Sequence, residues 1–489
     1  MAAIVLPVTI AAQTAGDLPR STPAQEGVEP KAVTNFLNTL QAVPATEVHH
    51  VMVLRHGKVI AEMHPSPFRA QDAHTLYSES KTFVAMAVGI AIGENRLRLT
   101  DRVATFFPGE LPDSVSANLA SMTVRDLLMM ASGIKPDWEM RNTSDDWERV
   151  WLAKPVSTPG KKFRYDSLCT FMLSAIVSRV TGTTVLDYLR EHVFGPLGIK
   201  QAEWELSPSG VNTGGWGLRL QAESQAKFGQ LLLQGGMWNG RQLIPKWWIE
   251  EASKKQIQTY AKVDPPTDKN RGYGYQMWQC LHAGAYRADG AYGQFIVVIP
   301  DQDMVVVING VSAHTDKELA AIWQQLLLGV KAQPLATGSG QKALEAVEQR
   351  ASLPAQGIKS HGQVKPAQYR FTTSKGVLSI GLGEQLTYSF DGRTITAAHG
   401  QWNYETLKQA PPYSITPRDR LKGLDPRFTT ASQWRYQDKG KNDLAITTYW
   451  VDFISGETIK VNFTAPGKAH VVIKRNYDTK PLVDEIVAY

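Results

Sequence analysis

Leu76-Tyr77-Ser78-Glu79-Ser80-Lys81-Thr82-Phe83 is the stretch whose reading decides the fold. A serine stands three residues before a lysine, and an apolar run opens directly after them. On a helix, positions i and i+3 share a face, so Ser78 Oγ and Lys81 Nζ can meet. Ser78, and not Ser80, has that spacing. A serine in the first turn also has free backbone N–H groups beside it, where negative charge is favoured. One turn would then hold a nucleophile, a base and half an oxyanion site. The same residues also describe a plain helix cap followed by a surface lysine, so the rest of the chain must decide.

Phe83 to Ile92 is apolar on every side, which predicts a helix buried in a large core and closed near Gly93 and Asn95. Upstream, Pro30 to Val43 predicts a helix with Val33, Phe36, Leu37 and Leu40 on one face. Val51–Leu54 and Val59–Glu62 predict a hairpin turning at His56-Gly57. Downstream, Thr123 opens another helix, and a tryptophan-rich loop leads to Pro159-Gly160 and Tyr165-Asp166-Ser167. The stripe Leu168, Phe171, Met172, Ala175, Ile176 then predicts a helix with Asp166 or Ser167 as N-cap, which leaves Tyr165 on a fixed backbone. Gly214-Gly215-Trp216-Gly217 is expected to bring backbone close to something.

Gly272–Trp278, Tyr286–Gln294, Phe295–Ile299 and Met304–Ile308 read as a run of strands, with a final helix from Lys317. Strands at both ends, terminal helices and a helical block between them predict an α/β sandwich of the α+β kind. Its antiparallel sheet would carry the first and last helices on one face and a helical subdomain on the other. Pro, Gly and Ser mark residues 331–363 as a linker around one charged helical segment. Alternating strands beyond it predict a small all-β domain, a barrel or sandwich, over 364–489. The expected organisation is therefore a tail at 1–19, a main domain at 20–330, the linker, and the β domain.

At 489 residues the chain is too long for a single core of usual size. A net charge of +6, with basic residues scattered rather than blocked, excludes a nucleic-acid binder in favour of solvated surface. No apolar run approaches the roughly 18–20 residues that span a bilayer. Ala2 to Ala12 resembles the end of a secretory signal without its basic start, which favours a periplasmic or secreted protein over a cytoplasmic one. Cys169 and Cys280 lack zinc spacing, and one disulfide between them is possible. His49, His50, His56, His64 and His74 cluster in sequence, but period-2 spacing is expected to scatter them over both faces of a hairpin. No metal or other cofactor is expected.

Acyl transfer needs a nucleophile, a base and oxyanion donors. Burial would supply the desolvation that lets Lys81 act as base, and Tyr165 is a candidate proton relay. The order of these elements resembles the serine β-lactamase and penicillin-recognising family, in its class C β-lactamase-like branch. The nucleophile helix and its exit Gly93–Asp101, Thr123–Gly133, Pro159–Tyr165, Val180-Thr181-Gly182 and Phe194–Gly198 all carry that resemblance. It covers roughly residues 20–330, and the tail is similar to β domains appended to some members. The resemblance implies Ser78 as nucleophile, Lys81 as its base and Tyr165 as proton shuttle. Ser78 N and Ala291 N would then form the oxyanion hole.

Two departures narrow the substrate. Tyr165-Asp166-Ser167 has serine where the family has asparagine, and Ala288-Asp289-Gly290 lacks the lysine that binds a substrate carboxylate. Arg287 is expected on the strand face opposite that lysine position. An esterase or amidase acting on a small ester, amide or peptide is therefore expected. A D-stereospecific peptidase, a weak β-lactamase and a non-catalytic sensor are the alternatives.

Overall fold

The computed structural model describes residues 17–143, 146–260, 265–336, 340–354, 357, 365–412, 422–438 and 443–489. The signal-like run and part of the linker lie outside the described residues.

Six antiparallel strands form the main sheet. Their order is Lys58–Met63, Thr46–Arg55, Met304–Ser312, Gln294–Ile299, Tyr286–Gly290, Trp278–Gln279. Alternation along the central strands divides two cores. Val51, Val53, Val306 and Ile308 pack against Phe36, Leu37, Leu319 and Ile322 of the terminal helices. Met52, Leu54, Val305 and Val307 face the helical block. Both faces are covered, as an apolar strand buried on both sides requires.

The Ser80–Gly93 helix runs through the second core and is buried almost throughout. Gly89 matters to it, because a Cβ there would lie 2.1 Å from the Trp248 ring. Trp248 lies against the helix at that point and donates its indole N–H to Ala85 O at 3.0 Å. The helix loses about 1 kcal/mol of propensity at Gly89. A buried indole, worth more than that in apolar area, offsets it.

Gly272–Met277 is irregular rather than a strand. Gln276 adopts φ 61° there, and its amide donates to Leu127 O and Leu128 O while accepting from Thr170 Oγ1. Side-chain bonding of one buried glutamine replaces a sheet ladder. Cys169 and Cys280 are both free and buried.

Beyond the Gln341–Arg350 helix, ten strands form one sheet, all neighbours antiparallel except Arg393–His399 beside Phe428–Tyr436. The sheet is nearly closed: Tyr369 and Phe371 on its first strand meet Tyr489, just past its last. Phe428–Tyr436 escaped the sequence pattern because it is buried on both faces and does not alternate.

The β domain sits directly against the Ser78 segment. Thr75 N donates to Asp452 O at 3.0 Å, and Ile454 packs on Tyr77. No single helix among the described residues is long and apolar enough to cross a membrane.

The histidines do not scatter. A bulge between Val48 and His50 inserts His49 into its strand, so adjacent residues oppose one partner and turn the same way. His49 Nδ1 lies 3.0 Å from His74 Nε2, and His50 Nδ1 lies 2.8 Å from His64 Nδ1. Phe68 stacks on His49, and Tyr449 of the β domain closes the cluster. His56 alone stays outside, paired with Glu26.

Burial pushes His49 and His50 well down and His74 down to about 4. The unfolded chain binds these protons near pH 6.5. The cluster's contribution to stability is therefore complete above about pH 6.5 and drains as pH falls toward 4. Urea midpoints measured from pH 7.5 to 4.5 should fall steeply, and less steeply in His74→Gln.

Candidate active site

The site begins with an unusual backbone. Tyr77 holds φ 47°, a left-handed conformation costing of order 1–3 kcal/mol for a non-glycine residue. Residues Tyr77–Glu79 form a 3-10 turn, and the α-helix starts at Ser80. Ser78 thus lies in the 3-10 turn and Lys81 in the first turn of the α-helix, three residues on and on the same side. Ser80 is placed elsewhere: its hydroxyl accepts from Leu218 N at 3.1 Å.

Lys81 Nζ makes three contacts: Ser78 Oγ at 2.8 Å, Ser167 Oγ at 2.9 Å and Gly215 O at 2.6 Å. Lys81 is 1% exposed, and among the described residues no carboxylate forms an ion pair with it. Burial therefore lowers its pKa to about 7, although the more distant Asp166 pulls the other way. A neutral amine can donate two protons, to Gly215 O and Ser167 Oγ, and turn its lone pair to the Ser78 hydroxyl.

Tyr165 completes the group. Its hydroxyl shares a hydrogen bond with Ser78, and its ring lies 4.8 Å from Lys81 Nζ. Burial pushes the phenol well up, so it stays protonated. Its backbone is held by the next helix: the Asp166 side chain caps Leu168 N at 3.0 Å, and Trp151 Nε1 holds the other oxygen at 3.2 Å.

The glycine-rich stretch found its contact. A Cβ at Gly215 would sit 2.4 Å from Ser167 O, so only glycine lets this carbonyl reach Lys81. Ser167, where the family has asparagine, is turned to the lysine. Gly290 lies against the Ser78 segment, where a Cβ would come within 2.2 Å of Leu76 O. Ala291 follows at the exposed turn, and its carbonyl accepts from Gln294 Nε2 at 3.0 Å. Arg287 Nε donates to Asp289 at 2.9 Å, so these alternate residues share a face and Ala288 takes the other, as strand geometry requires.

Glu79 was not anticipated. It is fully buried beside Ser78, and neither carboxyl oxygen has a hydrogen-bond partner among the described residues. Burial, reinforced by Asp289, pushes its pKa well up and keeps it neutral. Nothing in the sequence marks a glutamate between two serines as buried.

Comparisons with known proteins place the chain in a family. The Beta-lactamase family model matches residues 39–331, more than half of the chain. The chain belongs to the Beta-lactamase family. It is similar to a 6-aminohexanoate-dimer hydrolase of Paenarthrobacter ureafaciens, 25% identical over 314 residues covering 59% of this chain and 79% of that protein. Among solved structures it resembles EstCE1, a hydrolase with promiscuous acyltransferase activity. The TM-score is 0.50 at 17% identity, covering 60% of this chain and 98% of that one, a likeness of fold. This family member is a β-lactamase-related serine hydrolase.

Gly290→Val should cost about 1–3 kcal/mol, since backbone rather than a flexible side chain blocks the new atoms. A urea midpoint unchanged from the parent would contradict this close approach.

Proposed function

We propose that this hydrolase cleaves an ester or amide through an acyl-enzyme on Ser78. The observation that carries the reading is the 2.8 Å contact between Ser78 Oγ and a buried lysine amine that no carboxylate pairs among the described residues. Lys81 takes the Ser78 proton as Oγ attacks the substrate carbonyl. The N–H groups of Ser78 and Ala291 stabilise the oxyanion. As the carbon–heteroatom bond breaks, Tyr165 gives its proton to the leaving group and is reprotonated from Lys81. Water then attacks the ester of Ser78, losing its proton to the same pair, which passes it to Ser78 Oγ as the acyl–oxygen bond breaks and the acid is released.

The missing lysine at Ala288 removes a cation for a substrate carboxylate, and Arg287 is spoken for by Asp289. Both features favour an esterase or amidase over β-lactam hydrolysis. The likeness to a 6-aminohexanoate-dimer hydrolase supports linear amides as the substrates to try beside esters.

A fluorophosphonate probe should add once to the wild type and not to Ser78→Ala, as read by intact mass. Equal adducts on both would sink the reading. Turnover of a short p-nitrophenyl ester should drop by roughly 10⁴–10⁶-fold in Ser78→Ala. A chromogenic cephalosporin should be turned over more slowly than that ester.

The unprotonated amine is the active form, so kcat/KM should climb with pH and level off above about 7. A profile that falls through this range would contradict Lys81 as base.

A further inference from the structure

Tyr165 is the first ring of an aromatic surface that leads away from Ser78. Its hydroxyl bonds to Ser78, and its plane lies 33° from that of Trp278, with centroids 5.6 Å apart. Tyr260 in turn stacks on Trp278 at 6.3 Å and 25°. All three rings keep exposed surface: Tyr165 and Trp278 are partly buried, and Tyr260 is 51% exposed. Phe163 and Tyr273 are buried behind them, Phe163 touching all three and Tyr273 touching Tyr165 and Trp278. Exposed rings scattered singly need no explanation, but these are contiguous with a group that works on the substrate.

The surface is held in shape. Tyr273 and Trp278 form a β-bridge across a turn in which Gly274 N donates to Met277 O at 2.8 Å. Ile257 bridges to Tyr273 on the other side, and the Gln258 amide donates to Tyr260 O at 3.1 Å and to Asn270 O at 2.8 Å. The Arg287 guanidinium, paired with Asp289, lies 5.7 Å from the Trp278 ring. Rings fixed in this way need little reordering to receive a ligand, which lowers the cost of binding.

Position relative to the proposed chemistry decides which half of the substrate they meet. The heteroatom that leaves the acyl group must come within hydrogen-bond reach of the Tyr165 hydroxyl. Whatever that heteroatom carries begins beside the Tyr165 ring, and Trp278 and Tyr260 are the next surfaces on that side. Flat groups gain most there, because aromatic faces and edges attract other rings in offset or edge-on contacts.

We propose that Tyr165, Trp278 and Tyr260 form a leaving-group subsite that selects esters and amides of aromatic alcohols or amines, with Tyr260 as its specificity-determining residue. The inference rests on the acyl-transfer reading above. It names the half of the substrate that the reading leaves open.

The test compares phenyl acetate with hexafluoroisopropyl acetate, whose leaving groups are similar in acidity while only the first is a ring. Both esters place the same acetyl group on Ser78, so the ratio of their kcat/KM values reads the leaving group alone. Tyr260→Ala should lower kcat/KM for phenyl acetate roughly tenfold and leave the fluoroalkyl ester within about twofold. Tyr260→Phe should keep the wild-type ratio, because the ring and not the hydroxyl makes the contact. Calorimetry of 2-naphthol binding to Ser78→Ala, with and without Tyr260→Ala, reads the subsite without catalysis. Tighter binding to the single variant is expected. A phenyl-to-fluoroalkyl ratio unchanged in Tyr260→Ala overturns the inference, as does equal naphthol affinity. If neither ester is turned over, the acyl-transfer reading fails and the calorimetry alone decides the subsite.

Discussion

A single buried amine organises this protein. Lys81 Nζ is held by two hydroxyls and one carbonyl, with no carboxylate paired to it among the described residues. Burying an unpaired ammonium is expensive, and the molecule meets that cost by lowering the pKa until the amine can be neutral near pH 7. Everything around it serves that state. The apolar helix behind excludes water, Gly215 brings a carbonyl into reach, and Ser167 supplies a hydroxyl rather than an amide.

The Ser78 segment is held from three sides. Leu76 N bonds Leu218 O, Gly290 presses against Leu76 O, and the β domain reaches Thr75 through Asp452 O. Such bracing is what a left-handed tyrosine needs, since strain persists only where surroundings over-determine it. The β domain is therefore part of the support of the site, and its histidine-lined seam ties that support to pH. Burial holds His49, His50 and His74 below the usual histidine range, so charging them costs that seam stability.

Much of this was legible in one dimension. Local rules sufficed where a residue's partner lies within a turn: the Ser78–Lys81 spacing, the helix behind it, the cap before Tyr165's helix, and strand alternation that separates Arg287 from Ala288. The sandwich with an all-β tail followed from the order of such elements. What was missed has a common cause. The histidines gather because a bulge reverses the parity that period-2 reasoning assumes. Gly272–Met277 is shaped by a glutamine bonding to distant carbonyls. Phe428–Tyr436 hides because both of its faces are buried.

By itself, the sequence determined which groups could do chemistry, because spacing along a helix is a covalent fact. It also marked the substitutions that remove a carboxylate-binding lysine and an asparagine amide. Only the tertiary structure decided the state of those groups. Burial of Lys81, neutrality of Glu79 and the turn of Ser167 toward the amine all depend on atoms remote in the chain. Desolvation and shape are properties of the packed molecule, and no pattern of neighbours along the chain encodes them directly.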